Sequence, residues 1–430
     1  MAYNKANFQL LEEFPIESTV KIFLYLSTDS VATMTAAGYV SDAGTKRVQV
    51  GDLVHVVNQT APGYTLLQVG SVSGTSYAQT ATLELTSTDQ SESSSMPRNL
   101  IDGGDFTTNP WQRGTTPSAV TGTTVTYVAD RFFVAGATTC SITVTDPVIT
   151  GVPGYNNALQ FARTSANAST TTLFLGQVLE AADVYRTRGQ FLTLSFWALA
   201  GANYSPTTAA TAKVTSGTTA NEGAAVSIGA GYAGAVTGFA GLATLINATF
   251  VPTTTWQQFT FTSSAVVGAT VAELALQFSM TPVGTAGTND NIQFAGIQLE
   301  IGSQATPFEH LDAAMVIERC QRYCFVLNEP ATTTVLAAVG QCYSVTTARI
   351  VIPLPVPMYK APTLTFSAGS FSVTATTGTA VTITSGGGGT AQTVNAIGLI
   401  ATVASGLLSG YATVLGGTGG GGSIVASADL

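Results

Sequence analysis

The chain has 430 residues, enough for about two to four domains with their own cores, so folding requires neither disulfides nor metal ions. Only 9% of the residues are charged and the mean hydropathy is +0.32, which indicates that part of the surface faces other chains. A net charge of −9 without clustered Lys or Arg excludes a nucleic-acid groove. Four cysteines are too few for a disulfide scaffold, and no apolar signal segment precedes Phe8, so we expect assembly without secretion.

Residues 1–88 are predicted to form a small β-barrel-like domain, because short β-forming runs alternate with Gly, Asp and Pro. The runs cover residues 20–26, 52–57, 65–72 and 80–85. Within this region, the pattern VATMTAAGYVSDAGTKRVQVGDLVHVV resembles a small module of phage virion proteins. The resemblance implies that the domain attaches the chain to the virion. The Ser-rich, acidic residues 89–97 are predicted to be a linker.

Residues 98–308 are predicted to form an antiparallel jelly-roll sandwich, since their β-forming runs follow one another without helices between them. The predicted strands cover residues 158–164, 173–180, 190–200, 255–263, 272–280 and 291–300. Residues 217–251 are charge-poor and rich in Gly and Ala, so we expect a long loop there, of the kind that carries function or oligomer contacts.

Several motifs of this region resemble, in the same order, the landmarks of phage tail-fibre and virion appendage proteins. They are RNLIDGGDFTTNPWQRGTT, YVADRFFV, LGQVLE, FLTLSFWALA, TWQQFTFT and IQLEIGSQATPFEH followed by CQRY. The resemblance covers most of residues 98–327 and implies a jelly roll similar to carbohydrate-binding modules.

Two sets of residues in the jelly roll are candidates for binding. Trp256 follows a Pro-Thr-Thr-Thr turn and either packs or stacks on a sugar, and Tyr155 and Tyr204 are further candidates for carbohydrate binding. Asp102 and Asp105, in an Asp-Gly-Gly-Asp turn, either form a plain turn or donate oxygens to a structural Ca²⁺, as jelly rolls of this family sometimes do. We expect no other cofactor.

Residues 309–328 are predicted to form a short connecting helix. Asp312 complements the helix N-terminus, and Glu318 and Arg322 have the spacing of an ion pair. One apolar stripe contains Val316, Cys320, Tyr323, Cys324 and Leu327. We interpret Val316, Cys320 and Cys324 as the inward face of a three-chain helix bundle at a trimer axis. The two cysteines are then packing residues, since their spacing matches no familiar zinc motif.

Residues 329–430 are predicted to form a C-terminal β-sandwich from alternating Val, Ile, Thr and Tyr runs. Residues 396–415 are uncharged and as long as a bilayer helix, but their Gly content and the lack of flanking Lys or Arg exclude a membrane span. IPLPVPMYKAPTLTF and GGTGGGGSIVASADL resemble the C-terminal domain of phage fibre proteins. The resemblance implies a distal, trimerising domain.

The chain lacks the clustered acid, base or nucleophile of an enzyme. His55 and His310 are far apart in sequence, and neither lies near a Gly-x-Ser-x-Gly motif. Glu180, Asp183 and Glu273 are carboxylates available for glycan cleavage, but isolated carboxylates usually lie on solvated edges. We therefore predict a non-enzymatic protein.

The leading hypothesis is a phage virion fibre or appendage protein, anchored to the particle by its N-terminal domain and attaching to a host-surface glycan. Its predicted partners are two further copies in a homotrimer, other virion proteins (capsid, portal/adaptor or tail) and host surface polysaccharide, with no nucleic acid and no membrane insertion. We expect it in the virion, after assembly in the host cytoplasm. The alternative is a capsid decoration or head-fibre protein with a purely structural role, and a depolymerase is the third hypothesis.

Overall fold

The protein is all-β, as predicted. The computed structural model describes residues 5–13, 21–28, 31–35, 39–50, 52–58, 63–74, 80–85, 97–114, 120–121, 125–136, 139–224, 238–329, 337–374, 379–388, 392–419 and 421–430. The chain divides into two compact units, Met1–Met96 and Pro97–Leu430. Most of the predicted linker at 89–97 and the middle of the predicted loop at 217–251 lie outside the described residues.

The described part of the first unit forms a five-stranded sheet in the order β1-β2-β3-β4-β5, where the sequence predicted a barrel-like domain. The strands are β1 (Phe8–Glu13), β2 (Lys21–Ser27), β3 (Leu53–Asn58), β4 (Gly63–Ser73) and β5 (Thr80–Leu85). The pair β2 and β3 is parallel, so it needs a crossover, and the crossover contains the short helices α1 (Val31–Met34) and α2 (Ala43–Lys46). The four predicted strands are confirmed, whereas β1 was missed because FQLLEE lacks strict alternation.

The second unit begins with a jelly-roll sandwich. Its strands are β6 (Val120–Thr121), β7 (Thr126–Tyr127), β8 (Phe133–Ala135), β9 (Ser141–Thr145), β10 (Leu159–Arg163), β11 (Leu173–Leu179), β12 (Leu192–Ala200), β13 (Ala210–Gly217), β14 (Ala243–Phe250), β15 (Gln257–Thr262), β16 (Glu273–Met280) and β17 (Asn291–Ile301), and a short helix α3 (Ala181–Val184) follows β11. The front sheet has the order β15-β12-β17-β10-β9-β6 and the back sheet the order β14-β13-β16-β11-β8-β7. All six predicted strands are confirmed. The predicted loop at 217–251 is wrong in part, because β14 lies within it.

The core between the front and back sheets is centred on Phe196 of β12. Its ring lies 4.8 Å from that of Phe278 and 5.1 Å from that of Phe250, and both pairs meet edge to face. Full burial of one Phe side chain contributes roughly 1.5–3 kcal/mol, so this aromatic cluster stabilises the sandwich strongly.

A bulge in β17 lets an earlier segment pair with that strand. The register against β12 shifts beside Gly296, which has φ of +57°. The amide of Leu100 donates to the carbonyl of Leu299, and the amide of Ile297 donates to the carbonyl of Gly104. A Cβ on Gly104 would lie 2.2 Å from the Ile297 carbonyl oxygen, so the backbones can approach only because this residue is glycine. The motifs around residues 99–105 and 292–301 therefore lie against each other.

The helix after the jelly roll is shorter than predicted. It is α4 (Ala313–Gln321), and the predicted cap is confirmed, because Asp312 accepts a hydrogen bond from the Ala314 amide at 2.8 Å. The predicted continuation to residue 328 is wrong, since β18 (Cys324–Asn328) pairs there with a strand near the end of the chain.

The remaining residues form a barrel and a small sheet. The strands are β19 (Ala338–Cys342), β20 (Thr347–Pro353), β21 (Thr363–Phe366), β22 (Phe371–Thr374), β23 (Ala380–Gly388), β24 (Ala396–Val403), β25 (Ala412–Gly417) and β26 (Ser423–Ser427). The order β19-β20-β24-β23-β22-β25 closes on itself, where the sequence predicted a sandwich, and β18-β26-β21 form a separate sheet. The uncharged residues 396–415 contain β24 and the first part of β25. Among the described residues, no helix has the length and apolar character that crossing a bilayer requires.

The last strand returns the chain to the jelly roll. Asp429 forms an ion pair with Arg113, and the Leu430 carbonyl oxygen accepts hydrogen bonds from the Tyr127 hydroxyl and, at 3.1 Å, from the Ala224 amide. The Leu430 side chain packs into an apolar cluster on the back sheet that includes Phe133. We call these residues, 429–430, the strap, because they join the barrel to the jelly roll.

Candidate functional site

An open groove of about 590 Å³ lies on the outer face of the front sheet, beside the start of β15. Its lining residues are Val148, Ile149, Thr150, Gly151, Leu199, Thr254, Thr255, Trp256 and Gln293, and no charged side chain is among these described residues. The Trp256 side chain is half-buried, and Thr254 and Thr255 beside it are exposed. The groove therefore combines one large aromatic surface with neutral polar groups.

A row of outward-facing residues continues from the groove across the front sheet. Leu199 lies opposite Gln293, Gln293 opposite Gln160, and Gln160 opposite Thr145. The Gln293 amide Nε2 donates to the Gln160 amide Oε1 at 3.1 Å, which leaves the Gln293 Oε1 as an acceptor. Neighbouring strands are about 4.8 Å apart, so this row extends about 14 Å across β12, β17, β10 and β9.

Residues 148–157, which we call the wall loop, form the side of the groove opposite the sheet. The loop is a hairpin in which Val148 bridges to Asn157 and the Ile149 amide donates to the Asn156 carbonyl at 2.8 Å. Gly151, with φ of +89°, lies next to the indole, since a Cβ there would be 3.8 Å from Trp256 Cδ1. The wall loop therefore packs beside Trp256, and its residues Val148, Ile149, Thr150 and Gly151 form part of the groove lining.

The three aromatic residues predicted to bind carbohydrate lie in different surroundings. Trp256 lines the groove. Tyr155 belongs to the wall loop, but its side chain is packed against Phe308 and only 7% of its surface is exposed. Tyr204 packs against the main jelly-roll core, and burial together with the charge of Asp290 raises its pKa to about 12.

Sequence reasoning missed Gln293 and Gln160. The detectable signal was the alternation within the predicted strands at 291–300 and 158–164. It places these glutamines on the face of the sheet that points away from the buried aromatic residues. Their meeting with Trp256 depends on the order of strands in the front sheet, which alternation does not reveal.

The two candidate calcium ligands have protein partners in the structure. Both oxygens of Asp102 accept from guanidinium groups, one from Arg131 at 3.1 Å and the other from Arg319. Asp105 accepts from the Thr107 amide with one oxygen, and its other oxygen lies 3.0 Å from His310 Nδ1. Within the described residues, no group of three His, Cys, Asp or Glu side chains is placed to hold a metal ion. Calcium binding at these aspartates stays a prediction, and protein groups already contact their carboxylate oxygens.

A second cavity, of about 300 Å³, lies where α4 meets the jelly roll. It is lined by Asp102, Glu180, Ala182, Asp183, Arg319, Arg322 and Tyr323. Glu180 accepts from Arg322 Nη2 at 2.6 Å and from the Tyr323 hydroxyl at 2.7 Å, so Arg322 pairs with Glu180 and not with Glu318 as predicted. The Arg131 guanidinium lies 3.4 Å above the Tyr323 ring. These paired charges attach the helix to the sandwich.

The predicted trimer residues of this helix region are buried within their own chain. Val316 is 6% exposed, and Cys320 and Cys324 are each 1% exposed. Burial raises the pKa of both thiols, so they remain protonated packing groups. The proposed inward face at a trimer axis is therefore corrected to a face that packs inside the chain.

The candidate hydrolytic carboxylates lie outside the groove. Glu180 is bound to Arg322 and Tyr323, as described. Glu273 is fully buried in the back sheet, where it accepts from the amides of Glu222 and Gly223. Burial, together with a smaller effect of the nearby charge of Glu222, raises the pKa of Glu273 to about 7 against the effect of those two hydrogen bonds.

No protein-family model and no curated protein matches this sequence. Solved structures with a similar β fold include the enzymatically active domain of tailspike protein 4 of bacteriophage CBA120, at 10% sequence identity and a TM-score of 0.29 over 47% of this chain. CBM4 is similar at 18% identity and a TM-score of 0.24, over 40% of this chain and 87% of the CBM4 chain. TmCBM61, solved in complex with β-1,4-galactotriose, is similar at 10% identity and a TM-score of 0.25, over 48% of this chain and 100% of its own. This chain spans 21% of the length of the tailspike, and each likeness concerns the fold alone.

Proposed function

We propose that the protein is a virion fibre or appendage protein whose jelly roll binds a glycan on the host surface. The observation that carries the proposal is the groove, which is lined by the half-buried Trp256 and by Gln293, whose amide Nε2 donates to Gln160. A sugar ring presents C–H groups to an aromatic face and hydroxyl groups to neighbouring amides, and the groove offers both kinds of partner.

The ligand that fits this groove is a neutral polysaccharide. None of the described lining residues is charged, so an acidic sugar would leave its carboxylate or sulfate without a counter-charge. The net charge of −9 also disfavours the approach of a polyanion. The 14 Å row from Leu199 to Thr145 provides contacts for several consecutive sugar units.

The N-terminal unit would attach the chain to the particle through other virion proteins. The support is the resemblance of its sequence to a module of phage virion proteins, together with its separation as a compact unit, Met1–Met96. In this role the jelly roll is the part that contacts the host.

We further propose that the chain forms a homotrimer through its C-terminal barrel. Val339 and Val351 are cross-strand neighbours on the outside of the barrel and are 65% and 59% exposed. Tyr343, Val345 and Tyr411 are also exposed, and residues 361–428 contain no charged side chain. Exposed apolar surface of this kind is typical of an interface. Three copies would raise avidity for a repetitive glycan without any new contact.

The proposal is tested by binding of the full chain to soluble neutral polysaccharides (a β-glucan, a xylan, a galactan and a mannan) and to the acidic polysaccharide alginate. We expect the wild-type chain to bind at least one neutral polymer and Trp256→Ala to weaken that binding by at least tenfold, since stacking on the indole is lost. Binding to none of them supports the purely structural alternative. Release of new reducing ends from a bound polymer would show a depolymerase.

A further inference from the structure

The wall loop is held from behind by side chains that lie outside the groove. Thr107 Oγ1 accepts two backbone hydrogen bonds from the loop, from the Asn156 amide at 3.0 Å and from the Asn157 amide at 3.3 Å. Two adjacent amides bound to one hydroxyl fix both the position and the direction of the chain at this end of the loop.

Thr107 is itself fixed by Asp105. The Thr107 amide donates to Asp105 Oδ1 at 3.0 Å, and the other oxygen of this buried carboxylate lies 3.0 Å from His310 Nδ1. Asp105 and Thr107 belong to the motif DGGDFTTN, which precedes the jelly-roll strands in sequence. His310 belongs to the motif TPFEH, which follows them. An acidic turn and the segment that leaves the jelly roll therefore meet behind the loop.

The aromatic residues of this region complete the support. The His310 ring lies 5.3 Å from the Tyr155 ring and 4.9 Å from the Phe308 ring, and Tyr155 meets Phe308 edge to face at 5.5 Å. The Tyr155 hydroxyl occupies the space left by Gly296, where a Cβ would lie 2.2 Å away. Tyr155 therefore anchors the wall loop to the bulge of β17.

We propose that Thr107, Asp105 and His310 are positioning residues for glycan binding, which fix the wall loop at its distance from Trp256. The proposal rests on the proposed function of the groove. A loop that is ordered before the ligand arrives does not lose conformational freedom on binding, so affinity depends on residues that never touch the ligand. Loss of one supporting hydrogen bond should weaken binding by about three- to tenfold.

The test compares disruptive and conservative substitutions in the full chain, with the neutral polysaccharide that the wild type binds most tightly as the probe. Thr107→Val removes the acceptor while keeping the shape, and Thr107→Ser keeps the hydroxyl. His310→Ala removes the donor to Asp105, and His310→Asn keeps an N–H at the same place. We expect Thr107→Val and His310→Ala to weaken binding by about three- to tenfold, and the two conservative variants to stay within about twofold of wild type.

A matched control lies on the opposite sheet. Thr211→Val removes a hydroxyl that bonds to Ser279 on the back sheet, so it costs a similar hydrogen bond without touching the wall loop. We expect Thr211→Val to leave affinity unchanged. Hydrogen exchange gives a readout that needs no ligand, and in Thr107→Val the amides of residues 148–157 should exchange faster than in wild type and in the control.

Three results would overturn the inference. If Thr107→Val and His310→Ala bind with wild-type affinity while Trp256→Ala has lost binding, the groove binds glycan but these residues do not position it. Unchanged hydrogen exchange in the wall loop of Thr107→Val contradicts the positioning role directly, with or without a ligand. A wild-type chain that binds none of the polysaccharides overturns the proposed function, and this inference with it.

Discussion

The buried carboxylates of the second unit differ in what surrounds them, and their acidities differ accordingly. Burial alone would raise the pKa of Asp102, but the guanidinium groups of Arg319 and Arg131 outweigh it and lower the pKa below its ordinary value of 3.8. Asp102 therefore contributes stability at neutral pH, and this contribution is lost as the pH falls through its lowered pKa. Within the described residues, the Glu273 carboxylate is bonded only to backbone amides. Its pKa is raised and not lowered, so its effect on stability depends on pH in the opposite direction.

Glu273→Gln should remove a pH dependence of stability between about pH 8 and pH 5. With a folded pKa of about 7 and an ordinary value of 4.5, Glu273 takes up a proton in the folded state first, so the wild type gains stability as the pH falls through this window. The gain should be on the order of 2 kcal/mol. Gln has one acceptor fewer and lowers stability at every pH, so the readout is the slope of the unfolding free energy against pH. Equal slopes in the two proteins would contradict the prediction.

Asp102→Asn should destabilise the second unit by about 3 kcal/mol, because it leaves the buried Arg131 and the partly buried Arg319 without their counter-charge. Denaturant unfolding of the full chain measures the effect. The control is Glu318→Gln on the exposed face of α4, where a change within about 0.5 kcal/mol is expected. If both variants unfold at the same denaturant concentration, the network around Asp102 adds nothing to stability.

For single residues, the sequence showed which side chains are candidates for a role better than it showed which residues they contact. Trp256 was recognised as a candidate because an aromatic residue after a polar turn is conspicuous. Glu318 was assigned to Arg322 from helical spacing, but the helix ends between them and Arg322 reaches Glu180, 142 positions earlier. Pairings over such separations are set by the tertiary fold, which local spacing cannot show.

Among the elements, α4 shows how strand pairing limits a helix. Its apolar stripe predicted a helix through Leu327, but the chain switches to β18 at Cys324, where Cys324–Asn328 pair with β26. Long-range pairing overrides helical periodicity because pairing with β26 gives this segment backbone hydrogen bonds that the helix end cannot offer.

Val316→Asp should therefore act on folding before it acts on any oligomer. Val316 is buried where α4 packs against the rest of the chain. An aspartate there leaves an unpaired buried charge and should lower the free energy of unfolding by about 2–4 kcal/mol. Ile317→Asp, one position along and 38% exposed, is the matched control and should change stability by less than about 0.5 kcal/mol. Thermal unfolding of the two variants measures the difference. Equal melting temperatures would show that Val316 does not pack against the rest of the chain.

The contact between residues 99–105 and β17 explains why two motifs are rich in glycine. Gly104 lets the early segment approach the Ile297 carbonyl, and Gly296 makes room for Tyr155. Asn99 bonds to Ile297 across 198 positions. The sequence predicted a turn at Gly104 and a strand through Gly296. The reason for both glycines, close approach of distant segments, becomes visible only when the segments are placed together.

For the whole molecule, the strands were easier to predict than the way they close. Alternating runs indicated β-structure in the C-terminal region, but the barrel depends on the pairing of β19 with β25, whose members Val339 and Val414 are distant in sequence. A sandwich and a barrel can be built from the same alternating strands, so the sequence pattern does not choose between them.

Val351→Asp should weaken self-association without unfolding the barrel, because the side chain is 59% exposed and lies beside Val339 on the outer face of the barrel. Light scattering of the wild type should give the mass of three chains, and the variant should dissociate at concentrations about tenfold higher than wild type. Val251→Asp, which changes an exposed valine of the jelly roll, is the control and should leave the mass unchanged. A wild-type mass of one chain removes the trimer from the proposal.

The strap also has a consequence for how the protein is made. Asp429 and Leu430 meet partners 316 and 303 positions earlier, and β26 is the central strand between β18 and β21. At a translation rate of about 5–20 residues per second, Arg113 and Tyr127 wait roughly 15–60 s for these partners. During that interval β18 and β21 have open edges and the cluster around Phe133 is uncovered. The nascent chain is therefore exposed to aggregation until these long-range contacts form.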